Sequence, residues 1–275
     1  MNPHQAFSAS IVELFASQWR NRGLIIQLAK RDVLGRYRGS VLGLAWSFFN
    51  PLLMLAVYTF VFSVVFKARW GFGDESKVNF AIILFAGLIV HGLFAECINR
   101  APSLIVSNPN YVKKVVFPLE ILPSVTLGSA LFHAGVSLVV LLTAQLIVTQ
   151  RLPWTVIIFP LVLLPLLLST VGFAWLLSAL GVYLRDVGQT TSILTTVLMF
   201  LSPLFYPLSA LPENYRIWLH LNPLTFIIEE SRNVLIFGRM PNWSGWTLAL
   251  VAGTLVSAGG FWWFQKTRKG FADVL

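Results

Sequence analysis

Residues 152 to 184 contain no Asp, Glu, Lys or Arg, a charge-free run of 33 residues closed at its ends by Arg151 and Arg185. A surface element in water needs a charged face, and this stretch has none to offer. An apolar helix crosses the roughly 30 Å hydrocarbon core of a bilayer with about 20 residues. The run is therefore long enough to cross at a tilt, and Pro153, Pro160 and Pro165 allow a kink. The rest of the chain agrees. Only 11% of its 275 residues are charged and 56% are apolar, with a mean hydropathy of +0.75, whereas a soluble domain carries about a quarter charged residues. Lipid is the solvent for such a chain, and its length accommodates about five to seven spans.

Six spans are expected, over 39–66, 78–99, 119–149, 152–184, 187–211 and 240–265. The fold class is all-α: a polytopic bundle of six transmembrane helices in one domain over 1–275, with a cytoplasmic interface region over 8–35 and a cytoplasmic tail over 266–275. Pro51, a dozen residues into the first span, is expected to loosen or bend it, with Asn50 turned towards protein. The net charge of +9 would suggest nucleic acid in a soluble protein. Here the basic residues sit at span ends and report orientation instead. With six spans the termini share a side. That side holds 13 of the 20 Lys and Arg, from Arg20 and Arg22 through Arg100 and Arg185 to Lys269, against seven on the other side, Lys67, Arg69, Lys77, Arg151, Arg216, Arg232 and Arg239. Both termini are therefore expected in the cytoplasm. The start "MNPHQAFSASIVELF" lacks a basic segment followed by an apolar core, so no cleaved signal peptide is expected. A single cysteine, Cys97, forbids an intrachain disulfide.

Two segments depart from simple spans. Ile11, Leu14, Phe15 and Trp19 recur at i, i+3, i+4 and i+8, with Glu13, Ser17 and Arg20 off that face. The pattern predicts an amphipathic helix on the cytoplasmic membrane surface. Between the fifth and sixth spans, "YPLSALPENYRIWLHLNPLTFIIEESRNVLIFGRMPNW" is apolar only in short pieces broken by Pro207, Pro212 and Pro223. No piece is long enough to cross. One reading is a pair of short helices that dip into the outer leaflet and return, which membranes tolerate only when the backbone packs on protein or lines a cavity. The other is an outer loop lying on the headgroups.

No catalytic constellation emerges. His4, His91, His133 and His220 lie in separate segments without a His or Cys partner at metal-ligand spacing, and there is no Gly-rich loop to cradle phosphate. Glu229 and Glu230 are adjacent, but neighbours on a helix point about 100° apart. A proton-driven carrier needs acids deep in its spans, whereas Glu96 and Glu120 lie near span ends. Glu96 with Arg100, at i and i+4, reads as a capping ion pair or as a gate contact. Most aromatics, 14% of the chain, suit an interfacial belt. Tyr58, Phe60, Phe173 and Trp175 lie deeper, where their rings could stack on sugars in a pore.

On the cytoplasmic side, "NRAPSLIVSNPNYVKKVVFPLEILP" offers a helix start at Pro102-Ser103 and a turn at Asn108-Pro109-Asn110, and "YLRDVGQ" forms a second corner. A short helix standing on rigid spans can take a push from a soluble partner. Orientation and capping alone account for both corners equally well.

Four stretches, "RDVLGRYRGSVLGLAWSFFNPLL", "NPNYVKKVVFPLEILP", "LRDVGQ" and "SPLFYPLSALPENYRIWLHLNPLTFIIEESRNVLIFG", occur in that order between Arg31 and Gly238. Together they resemble the membrane subunit of type-2 ABC exporters, in the bacterial polysaccharide branch that exports O-antigen, capsule or teichoic acid (the Wzm type). Leu119 departs from that pattern, which has a charged residue after Phe117-Pro118. The resemblance implies a non-catalytic permease of the bacterial inner membrane, without a cofactor of its own. It would work as a homodimer with two copies of an ATPase subunit that binds ATP and Mg. The ATPase would dock on the N-terminal helix, at Ile11, Phe15 and Trp19, and on the loop carrying Ser103, Leu104, Asn108 and Tyr111. The short helices over 206–237 would form an outer gate, with Tyr206, Pro207, Asn222, Pro223, Glu229, Glu230 and Arg232 as its candidates. The implied substrate is a glycan on a polyprenyl diphosphate. Arg31, Arg36 and Arg38 then lie where such a diphosphate would arrive, and forked guanidinium bonds suit phosphate. Positive-inside anchoring accounts for the same residues without a ligand. The alternatives are a small-molecule or drug exporter of the same fold, and a membrane enzyme of lipid-linked sugar metabolism, which would act without any ATPase.

Overall fold

A computed structural model describes residues 10–66, 77–113, 117–210, 212–220 and 222–275. Lys67, Arg69 and Lys114, used above for orientation, and Leu211, the end of the expected fifth span, lie outside the described residues. Every regular element among the described residues is helical. The first, α1 (Ile11–Arg20), is capped by Ser10, whose Oγ accepts a hydrogen bond from the Glu13 N–H at 3.1 Å. Next comes α2 (Arg22–Arg36). The chain then turns at Gly39, where φ is +86°, a conformation that a side chain would strain. It enters α3 (Trp46–Tyr58), which contains Pro51 and continues past it. The irregularity comes later: Thr59–Val65 widens into a π-helix, where the Thr59 hydroxyl donates to the Leu55 carbonyl at 2.7 Å. Asn50 is exposed on this span, at the edge of a cleft described below.

Among the described residues, five helical segments are long and apolar enough to cross a membrane. They are Gly43–Phe62, which includes α3, then α4 (Lys77–Arg100), α6 (Leu122–Thr149), α7 (Phe159–Tyr183) and α11 (Trp243–Thr267). The short α5 (Pro109–Lys113) lies between α4 and α6. The expected fifth span differs. Its helix, α8 (Val187–Phe200), has 14 residues, about 21 Å at 1.5 Å per residue and short of a 30 Å core. Turns follow over 201–206. Pro203 and Pro207 supply the reason, since proline lacks the N–H a helix needs and clashes with the preceding turn. The next helices are α9 (Glu213–His220) and α10 (Pro223–Arg232). Leu224, Ile227 and Ile228 of α10 are buried, and the helix packs on α4 and α7.

The core is organised around α4, with 78% of its apolar window inside the molecule, against 11% for the first span. Phe48, Phe49, Leu52 and Leu53 of that span are exposed. α7 and α11 run backbone against backbone. A Cβ on Gly260 would stand 2.0 Å from the Gly172 carbonyl oxygen, and one on Gly253 2.6 Å from that of Pro165. Small residues let membrane helices approach this closely. The expected tail over 266–275 is helical. It ends in α12 (Phe271–Val274), and Phe271 is fully buried beside Phe264 and Val182.

Candidate functional site

Three helices meet in one ionic cluster. Asp32 and Arg36 are four residues apart on α2, and Glu96 and Arg100 are four apart on α4, so each pair shares a helix face. Arg100 grips Asp32 with both terminal nitrogens, at 2.9 and 2.7 Å. Its separation from Glu96 Oε1 is longer, 3.6 Å. Arg36 donates to that same Glu96 oxygen, and the other carboxylate oxygen lies 3.3 Å from His133 Nδ1 on α6. The pair expected within α4 therefore exists, but its stronger contacts reach out to α2 and α6. Burial acts to raise the pKa of Asp32, yet the hydrogen bonds and charge of Arg100 outweigh it and hold the carboxyl below the usual range.

Arg36 borders two clefts. One, of about 550 Å³, opens at the basic end and is lined by Arg31, Asp32, Arg100, Leu104, Asn108 and Tyr111. The other, of about 440 Å³, runs between α3, α4 and α6 past Asn50, Pro51, Tyr58, His91 and His133. Arg31 donates to the Tyr111 hydroxyl at 2.9 Å, and the Tyr111 ring stacks on Phe117 at 4.3 Å. Residues singled out for two separate roles, diphosphate contact and ATPase docking, thus line a single cleft. Its guanidinium groups and phenol can hold an anion, and the adjoining cleft continues alongside the spans.

The other candidates are placed as follows. Arg38 is exposed near Lys30 and Arg31. On α1, Ile11, Phe15 and Trp19 are exposed while Leu14 is buried. The expected apolar face is split because Ser17, read as lying off it, turns inward and donates to Glu120 Oε1 at 3.0 Å. The hydroxyl of Ser103 donates to the Arg100 carbonyl at 3.0 Å, and the Asn108 amide donates to the Leu104 carbonyl at 2.9 Å. Of the four deep aromatics, Tyr58 alone lines the cleft that starts at Arg36. Phe60 is exposed on the π-helix. Phe173 lines an apolar crevice between α7, α10 and α11. Trp175 is 1% exposed, with its Nε1 donating to the Glu120 carbonyl at 2.8 Å, so it has no face open to a sugar.

At the opposite end the expected gate residues form a brace. Arg232, also 1% exposed, donates to the carbonyls of Ile83, Pro203 and Leu204 at 3.0, 2.5 and 3.0 Å. It ties α10 and α4 to the turns that follow α8. Asn222 caps α10, accepting from the Leu224 N–H at 3.0 Å ahead of Pro223, and donates to the Ser202 hydroxyl at 2.9 Å. Glu230 accepts from the Asn242 N–H at 3.1 Å, at the start of α11, while Glu229 is half-buried. The Tyr206 hydroxyl donates to the Phe200 carbonyl at 2.9 Å, with Pro207 beside it. Asp32 and His133 were not foreseen as partners of the arginines; the i, i+4 spacing of Asp32 and Arg36 was the one available signal. Among the described residues no group of three His, Cys, Asp or Glu is placed to hold a metal ion.

Comparison with known proteins bears on this arrangement. The model of the ABC-2 type transporter family matches residues 23–236. Over 266 residues the chain is 30% identical to the O-antigen export system permease protein RfbA of Myxococcus xanthus, covering 96% of this chain and 99% of that protein. A protein of the same name from Klebsiella pneumoniae is 25% identical over 254 residues, 92% of this chain and 95% of its own. The polysialic acid transport protein KpsM of Escherichia coli is 22% identical over 224 residues, 76% and 79% respectively. The matched region includes α4, α6 and all but the first residue of α2, with the whole ionic cluster and Arg232, and on these grounds the chain is a membrane subunit belonging to the ABC-2 type transporter family.

Proposed function

We propose that the chain is the permease of an ATP-driven exporter that moves a polysaccharide on a polyprenyl diphosphate across the bacterial inner membrane. The observation that carries this reading is the position of Arg36, at the junction of the basic-end cleft and the cleft between α3, α4 and α6. The names of the full-length relatives, O-antigen export permeases, support the glycan. Arg31, Arg36 and Arg38 meet the diphosphate, and Glu96 holds Arg36 until the more highly charged anion takes its place. The chain itself is non-catalytic. Two copies pair, and the scarcely buried first span supports placing their shared path there. Two ATPase subunits bind ATP and Mg and dock on the exposed Ile11, Phe15 and Trp19 and on the turn from Ser103 to Tyr111. Both termini face the cytoplasm, and the region from α9 to α10 closes the outer end.

The test combines Arg36→Ala with Arg38→Ala. Surface glycan is expected to fall by about tenfold or more, the scale of losing a charge-assisted contact of 1.5–3 kcal/mol, with unchanged protein level and topology. Normal export from this variant refutes the diphosphate contact. A P-loop ATPase is expected to co-purify with the chain. Turnover of lipid-linked sugar by the chain alone would instead make it an enzyme.

A further inference from the structure

Glu120 is 7% exposed and sits at the turn into α6. Its Oε1 accepts from Ser17 of α1 at 3.0 Å, and its Oε2 accepts from Arg268, one residue beyond α11, at 2.6 Å. Its carbonyl accepts from Trp175 of α7 at 2.8 Å. Arg268 also donates to the Phe117 carbonyl at 2.8 Å. One residue thus joins α1, α6, α7 and the end of α11. Leu14, a turn before Ser17 on α1, and Leu119, the residue before Glu120, belong to one buried apolar cluster with Ile105, Phe264 and Phe271. The Tyr183 hydroxyl, at the end of α7, donates to the Thr267 carbonyl at 2.9 Å, holding the C-terminal segment to the same corner. The charge expected at Leu119 is carried one residue later, by Glu120, and Leu119 itself is buried.

We propose that Glu120 and Arg268 form a positioning pair that passes a displacement of α1 to α6 and α11, making the C-terminal segment part of the end of the molecule that receives force. This rests on the reading of the chain as a permease driven by an ATPase docked on α1. The mechanics follow from the bonding. α1 turns only Leu14 and Ser17 fully inward, while Ile11, Val12, Phe15 and Trp19 are exposed. Among the described residues, its hydrogen bond into the bundle, from Ser17, ends on the Glu120 carboxylate. Charge-assisted hydrogen bonds are short and directional, so a carboxylate held on one oxygen by α1 and on the other by Arg268 cannot follow one element without loading the other. Apolar contacts alone would allow the helices to slide.

The experiment uses the permease with its ATPase partner, reconstituted in lipid, and measures ATP hydrolysed per glycan exported. Glu120→Gln and Arg268→Gln are each expected to raise that ratio by about three- to thirtyfold, the scale of residues that carry coupling between sites, with partner binding retained. Arg268→Lys should recover part of the loss. Ser17→Ala removes only the α1 arm and leaves the ion pair intact, so it remains informative if the charge variants fail to assemble; it should raise the ratio in the same direction. An unchanged ratio in Ser17→Ala, or hydrolysis and export falling in parallel in the assembled charge variants, overturns the proposal while leaving the exporter reading standing. Absence of ATP-dependent export by the parent complex overturns the exporter reading, and this proposal with it.

Discussion

A guanidinium offers five N–H donors in a rigid plane, and Arg232 directs three of its nitrogens at the carbonyls of Ile83, Pro203 and Leu204. The break after α8 leaves carbonyls without intrahelical partners, and buried backbone groups must be paired. Arg232→Met strips the donors from all three, at a cost on the order of 3 kcal/mol or more. Arg232→Lys supplies a charge but not the fork, so it should recover only part. The thermal unfolding midpoint in detergent should fall for Met and less for Lys; parental midpoints in both would contradict the brace. In the sequence, Arg232 is one basic residue in a Pro-broken stretch, and its position suggested a gate. That its donors meet backbone oxygens from α4 and from the turns after α8 depends on residues 149 and 28 positions away, which no local pattern encodes. Asp32, Arg36, Glu96 and Arg100 were partly legible, because i, i+4 spacing fixes which side chains share a face. Which faces meet was not.

At the level of elements, the charge-free run was the clearest signal and became α7, because apolar length alone suffices to define a buried or spanning helix. The expected span over 187–211 is likewise free of charge, yet its helix stops at Phe200. Hydropathy does not register that stop; Pro203 and Pro207 do. α1 shows the opposite failure. Its helical period is plain in the sequence, but Ser17 faces inward because a carboxylate 103 residues away accepts from it. The contact between α7 and α11 gives a sharp test on neighbouring positions. Gly260→Ala drives a methyl group into the Gly172 carbonyl, and overpacking of that kind costs about 1–3 kcal/mol. Gly259 has open space at its Cβ position, so Gly259→Ala should be neutral or stabilising by up to about 1 kcal/mol. Comparison of the two unfolding midpoints checks this, and equal effects would place the helices further apart.

For the molecule as a whole, topology is open to direct measurement because the single cysteine, Cys97, is fully buried. Cysteines introduced at Ser244 and at Asp273 lie at opposite ends of the span that contains α11. A membrane-impermeant maleimide applied to intact cells should label Ser244→Cys but reach Asp273→Cys only after the membrane is opened. Labelling of Asp273→Cys but not of Ser244→Cys would reverse the expected orientation, and labelling of both from outside would mean that the segment does not cross. Lipid as the solvent, the all-helical class and most span positions were readable from the chain alone, because the cost of placing charge or unpaired backbone in hydrocarbon acts on each segment separately. Three features were not readable: α4 as the hub, Arg36 at the junction of two clefts, and Glu120 as the tie between both chain ends. Each depends on side chains from distant segments meeting, and hydrogen bonds and close packing act over a few ångströms between surfaces that exist only once the helices have assembled.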